Sequence, residues 1–135
     1  SGILDGIQVT ETTKALFLTN AIQEIGNLIL SFQGSYQTIN TLAGIGDLLL
    51  TCNSKKSRNY CLGLLLSKSY ESKEKKQTEI INYLNCNTVE GYHTLLSIYS
   101  IIQKNNLHSP LIESLYNIIF NHQNQKELLT VLTCK

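Results

Sequence analysis

The side chains best able to do chemistry gather between Gly44 and Asn59. That stretch holds Gly44 and Gly46, one of only two aspartates (Asp47), Thr51, Lys55, Lys56, and then Ser57-Arg58-Asn59 with the only arginine of the chain. Ser57 has the residue type of a helix N-cap. Arg58 and Asn59 would then sit on the first turn, where free backbone N–H groups and the helix dipole favour an anion. Two readings stand side by side: a phosphate site gripped by Arg58, Asn59 and Ser57, or an ordinary capped helix with a solvated arginine. Asp47 lies between glycines and an apolar run, where a carboxylate needs a partner. It either caps a short helix over Leu48–Thr51 or pairs with a lysine from elsewhere. Gly44-x-Gly46 is not a dinucleotide fingerprint, because no strand precedes it and the third glycine is absent.

Helices must position these groups. From Thr10 to Gln33, apolar residues recur at helical spacing, and Leu16, Ala21, Ile25, Leu28 and Phe32 are expected on one buried face. Thr10 can cap the start with Thr12 or Thr13, and Gly34 can end the helix at C′. A short helix is expected over Tyr36–Leu42, then Leu48–Thr51. Ser57 opens a helix to about Lys68. The Lys/Glu-rich stretch Ser69–Thr78 reads as a solvated loop or helix start, with helix over Thr78–Leu84. Thr88 or Asn87 opens the next helix, to about Lys104. Ser109 caps and Pro110 enters the first turn of another, to about Phe120. A last helix spans Asn124–Thr133. No strand-turn-strand pattern competes, so the fold class is all-α, a single domain over residues 1–135.

Composition narrows the function classes. The chain has 135 residues, a net charge of +1 and 42% hydrophobic residues, which fits one globular domain. Eleven basic against 10 acidic residues argue against a nucleic-acid binder working by bulk charge. No apolar run is long enough for a membrane span, and no signal peptide is expected. Cys52, Cys61, Cys86 and Cys134 form no close pair, and His93, His108 and His122 are scattered, so neither a metal site nor a disulfide framework is expected; free thiols in the cytoplasm are. Ten lysines accompany the one arginine, the balance of an AT-rich genome. An arginine surviving that drift points to a place where a planar, two-donor cation is needed.

Together these residues resemble a known family. Leu42-Ala43-Gly44-Ile45-Gly46-Asp47-Leu48-Leu49-Leu50-Thr51-Cys52, followed by Ser57-Arg58-Asn59, resembles the substrate-domain signature of bacterial NAD(P)-dependent glycerol-3-phosphate dehydrogenase. Gly2-Ile3-Leu4-Asp5-Gly6, Thr88-Val89-Glu90-Gly91-Tyr92 and Ser109-Pro110-Leu111-Ile112-Glu113 resemble three further elements of that family. The resemblance implies an all-helical C-terminal domain of the 6-phosphogluconate-dehydrogenase-like type, normally joined to an N-terminal Rossmann domain that is missing from these residues. It also implies reversible reduction of dihydroxyacetone phosphate to sn-glycerol 3-phosphate with NAD(P)H, feeding phospholipid synthesis.

By the same resemblance, Asp47 and Thr51 support a catalytic lysine that lies outside this sequence. Asp47, Ser57, Arg58 and Asn59 bind substrate, and Arg58, Thr88 and Glu90 meet the cofactor. The sequence departs from the bacterial pattern at Thr12, at Asn20-Ala21 and in a longer, Lys-rich Tyr70–Asn85. These residues alone are expected to fold without activity, to hold no cofactor, and to self-associate, as a homodimer for instance, through the face that normally meets the Rossmann domain. The competing reading from another class is a helical protein-interaction module without catalysis.

Overall fold

The computed structural model describes residues 1–133. They form helices α1 (Gly2–Gly6) and α2 (Glu11–Ser31), a 3₁₀ turn (Tyr36–Asn40) leading into a π turn (Leu42–Gly46), and then α3 (Asp47–Asn53), α4 (Arg58–Ser67), α5 (Lys73–Cys86), α6 (Glu90–Lys104), α7 (Pro110–Phe120) and α8 (Glu127–Thr133). No strand occurs among the described residues, as the periodicity requires.

The helix α1 has no counterpart among the expected helices. It is five residues long, far too short to hold itself together in water. It persists because it packs along α4 with the two backbones nearly touching. A Cβ built on Gly63 would lie 2.8 Å from the Ile3 nitrogen, and one on Gly2 would lie 2.9 Å from the Tyr60 carbonyl carbon. Neither position has room for a methyl group. Polar groups fix the third neighbour: the Tyr60 hydroxyl donates to Asp5 Oδ2 at 2.5 Å, and Lys14 of α2 pairs with Oδ1 of the same carboxylate. Burial pushes the Asp5 carboxyl up, but the hydrogen bonds from Lys14 and Tyr60 outweigh it and leave it below the usual carboxylate range. The Tyr60 phenol is correspondingly pushed up by that bond.

For α2, the Thr10 hydroxyl accepts the Thr13 N–H at 3.2 Å, as expected. The helix stops at Ser31, short of Gln33, and its left-handed residue is Gln33 (φ 60°) and not Gly34. The N–H groups of Gln33 and Gly34 bond back to Leu30 and Ile29 in the Schellman pattern. Gly34 is required for space: a Cβ there would lie 2.7 Å from Ile29 Cγ2. The expected buried face also needs correction. Leu28 is buried and Ala21 packs against the core, but Leu16, Ile25 and Phe32 are exposed, and Phe17 enters the core instead. The core collects Leu4, Phe17, Leu62, Val89, Ile118 and Leu128 from six segments.

The Lys-rich segment is helix over Lys73–Cys86, much longer than Thr78–Leu84, because Ser72 caps it by accepting the Lys75 N–H and Lys75 pairs with Glu71. Propensity favours Lys, Glu and Gln in a helix once the start is capped. Tyr70 braces its entry, donating to the Leu65 carbonyl and to Glu79; burial and Glu79 push its phenol up to about 12. At the other end of the chain, α8 begins at Glu127, three residues after Asn124.

Pro110 takes the first position of α7 as expected, but Ser109 does not cap it by its side chain. The buried Glu24 of α2 does so from across the domain. Its Oε1 accepts the Ser109 hydroxyl at 2.6 Å and the Ile112 N–H at 3.0 Å, while Oε2 accepts the Leu111 N–H at 3.0 Å. Cys52, Cys61 and Cys86 are free thiols, and Cys134 lies outside the described residues. No described helix is long and apolar enough to cross a membrane.

Two outcomes are expected. Replacing Glu24 with Gln leaves one acceptor oxygen where two served three donors, and should cost about 2 kcal/mol in a urea titration. An unchanged midpoint would show that the α2–α7 bond is dispensable. Asp5 is held below its unfolded pKa of about 3.9, so its contribution is present above about pH 4 and is lost as pH falls through the folded value. Stability measured from pH 6 down to pH 3 should therefore fall less steeply in Asp5→Asn than in the wild type, and parallel curves would contradict this.

Candidate functional site

Three helix ends build the site. The chain leaves α3 at Asn53 and turns at Ser54–Ser57, where the Ser57 N–H bonds to the Ser54 carbonyl at 3.0 Å. Ser57 is the N-cap of α4, its hydroxyl accepting the Tyr60 N–H at 3.4 Å. Arg58 and Asn59 are thus the first two residues of α4, where backbone N–H groups have no acceptor within the helix. The Arg58 guanidinium is exposed and makes no ion pair with a described carboxylate, while its carbonyl is held by the Tyr83 hydroxyl at 3.2 Å. Burial pushes the Tyr83 phenol up.

The second helix end is that of α6. It begins at Glu90 behind Val89, and neither Thr88 nor Asn87 caps it by a side chain. Asn59 takes that part: its Oδ1 accepts the Gly91 N–H at 3.1 Å, tying the start of α4 to the start of α6. Thr88 and Glu90 are exposed beside it.

Between these ends lies an open cleft of about 510 Å³, within the range of small-molecule sites. Thr51, Ser57, Arg58, Asn59, Thr88 and Glu90 all line it, six of the seven candidate residues. Lys56, Ser54 and Leu50 line it as well; sequence reasoning placed Lys56 in the motif but gave it no role, although its position next to the Ser57 cap was the available signal. Asp47 is not on this cleft. It faces an adjoining one of about 380 Å³ with Ile25, Ile39 and Leu48, and Thr51 lines both.

Asp47 does not cap the short helix either. It is already in helical conformation (φ −65°, ψ −41°), has no described salt-bridge partner, and is exposed. The Thr51 hydroxyl donates to the Asp47 carbonyl at 2.5 Å, so its oxygen remains available as an acceptor. Close approach shapes this corner: a Cβ on Gly44 would lie 2.8 Å from the Ile39 carbonyl carbon.

Chemically, the α4 side of the cleft offers two cationic groups, free N–H donors and a carboxamide, which suits a phosphate monoester. The α6 side offers a carboxylate and a hydroxyl, which suit a neutral donor such as a carboxamide. Asp47 and the Thr51 oxygen offer acceptors to a cation.

Known proteins match this sequence. The family described as NAD-dependent glycerol-3-phosphate dehydrogenase C-terminus matches residues 1–130. A glycerol-3-phosphate dehydrogenase [NAD(P)+] of Brachyspira hyodysenteriae is 38% identical over 134 residues, covering 99% of this chain and 39% of the relative. Relatives with the same name in Fusobacterium nucleatum and Bacillus velezensis are each 34% identical, over 98% and 91% of this chain and 38% and 34% of their own lengths. The chain therefore spans less than two fifths of the curated relatives it matches.

Proposed function

The chain belongs to the NAD-dependent glycerol-3-phosphate dehydrogenase C-terminus family, and from that premise we propose that it is the substrate-side domain of an enzyme interconverting dihydroxyacetone phosphate and sn-glycerol 3-phosphate in the cytoplasm, for phospholipid synthesis. The single observation that carries this reading is the convergence of Arg58, Asn59, Lys56 and the open N-terminus of α4 on one wall of the 510 Å³ cleft. The phosphate of the three-carbon substrate binds there, with Arg58 supplying two parallel donors and Asn59 a third.

Thr51 and Asp47 serve the reacting end. In reduction, a hydride is added at the ketone carbon and a proton at its oxygen, and a lysine from outside these residues delivers the proton. The Asp47 carboxylate and the Thr51 oxygen hold that ammonium beside the substrate. Neither needs to touch the phosphate, which agrees with Asp47 facing the neighbouring cleft.

The cofactor fits this chain only in part. Glu90 and Thr88 present an acceptor and a hydroxyl suited to a nicotinamide carboxamide, and Arg58 stands within the same cleft. No strand or glycine-rich strand-to-helix turn occurs among the described residues to cradle a pyrophosphate. When bound, NAD(P)H supplies the hydride; these residues orient the substrate carbon towards it. The remainder of the cofactor site belongs to a Rossmann domain that packs over the cleft. Leu42 and Leu50, 81% and 68% exposed, give that partner an apolar landing beside it.

In the two-domain protein, Arg58→Ala should lower kcat/KM for dihydroxyacetone phosphate by about a hundredfold or more, and Arg58→Lys should restore only part of it. Lysine performing as well as arginine would remove the case for two-donor recognition. The 135 residues alone should fold and show no oxidation of NAD(P)H with dihydroxyacetone phosphate; measurable turnover would overturn the placing of the proton donor and cofactor cradle elsewhere.

A further inference from the structure

We infer that Gly91 is a positioning residue for the anion site: its bare backbone fixes which way the Asn59 carboxamide points. The inference rests on the phosphate reading above and adds a residue that does not line the phosphate cleft. A carboxamide can be turned half a revolution with little steric change, exchanging an acceptor for a pair of donors. At Asn59 one orientation would set two donors against each other. The Gly91 N–H reaches the side chain at 3.1 Å and needs an acceptor, so Oδ1 faces α6. Nδ2 is left with no acceptor among the described residues, on a side chain that lines the cleft. A backbone donor of α6 thereby turns Asn59 into a donor for an anion at the N-terminus of α4.

The bond has its present geometry because residue 91 has no side chain. A Cβ there would lie 2.7 Å from Asn59 Oδ1 and 3.0 Å from its Cγ. The nearest atoms are all at the end of the Asn59 side chain, so Asn59 and not the helix backbone yields to an added methyl. Alanine suits the first turn of α6 at least as well as glycine does. Gly91→Ala should therefore leave the fold intact and displace the carboxamide. Asn59→Asp does the converse. One carboxylate oxygen keeps the Gly91 N–H, and the other replaces Nδ2 with a negative charge facing the anion.

The test uses the full-length protein, ¹⁵N-labelled at asparagine and glycine, with inorganic phosphate as the probe and the thermal midpoint followed in parallel. In the wild type, the Gly91 amide should be protected from hydrogen exchange, and phosphate should shift the Asn59 side-chain resonances. In Gly91→Ala, the Asn59 resonances should move without phosphate, and phosphate affinity should fall about tenfold at an unchanged midpoint. In Asn59→Asp, the Gly91 amide should stay protected while phosphate binding is lost. A folded Gly91→Ala that binds phosphate like the wild type overturns the inference alone, as does an unprotected Gly91 amide in Asn59→Asp. A wild type that does not bind phosphate overturns the site reading and the inference with it.

Discussion

The close crossing of α1 and α4 is the constraint from which the rest of the site follows. Helix pairs normally sit 8–10 Å apart because side chains intervene. Here Gly2 and Gly63 remove them, and the backbones of the two helices come together. That contact fixes α4 along its length, and Asp5 then ties both helices to α2 through Tyr60 and Lys14. Arg58 and Asn59 are only two and one residues from Tyr60, so the anchor that seats Tyr60 also seats them. A longer linker between anchor and site would let the guanidinium wander by more than hydrogen-bond geometry tolerates.

Helices α1, α3, α6 and α7 start without a side-chain cap from their own N-cap residue, and for α6 and α7 an acceptor comes from a distant residue instead. Glu24 serves α7, and Asn59 serves α6. A local cap stabilises one helix; a distant one also fixes the angle between two. Glu24 can be buried because it meets three donors, which offsets the cost of taking a carboxylate out of water. The same economy explains why Ser109 is fully buried although its hydroxyl caps nothing: it is a donor to Glu24 and not an acceptor for α7.

Local signals were legible in the sequence and long-range ones were not. Thr10, Ser57 and Pro110 declared their helix starts because a cap or a first-turn proline acts within three residues. Five of the six candidates on the cleft lie in two short runs, each at a helix start, and Thr51 joins them from the last turn of α3. Asp47 was the exception, since one turn of α3 separates it from Thr51 and carries it to the adjoining cleft. The helix α1 could not be read, because it exists only by contact with α4. Periodicity put Leu16, Ile25 and Phe32 in the core, but an apolar stripe shows only that a face prefers cover, not that this domain supplies it. Gly34 misled because glycine was expected for its positive φ, whereas it is there for lack of room beside Ile29 and Gln33 bears the positive φ.

The cleft separates two chemistries using one kind of backbone feature. Both α4 and α6 point their N-termini, and so the positive ends of their dipoles, at the same space. Left alone, both would attract anions. Glu90 on the first turn of α6 offsets the field of its own helix, while α4 has Arg58 on its first turn and Lys56 just before it. The result is a gradient across a few residues: an anion is favoured at α4 and a neutral hydrogen-bond donor at α6. The Asn59–Gly91 bond ties these two helix ends to each other. A net charge of only +1 for the chain is no obstacle, because selectivity here depends on where a handful of dipoles and charges sit and not on their sum.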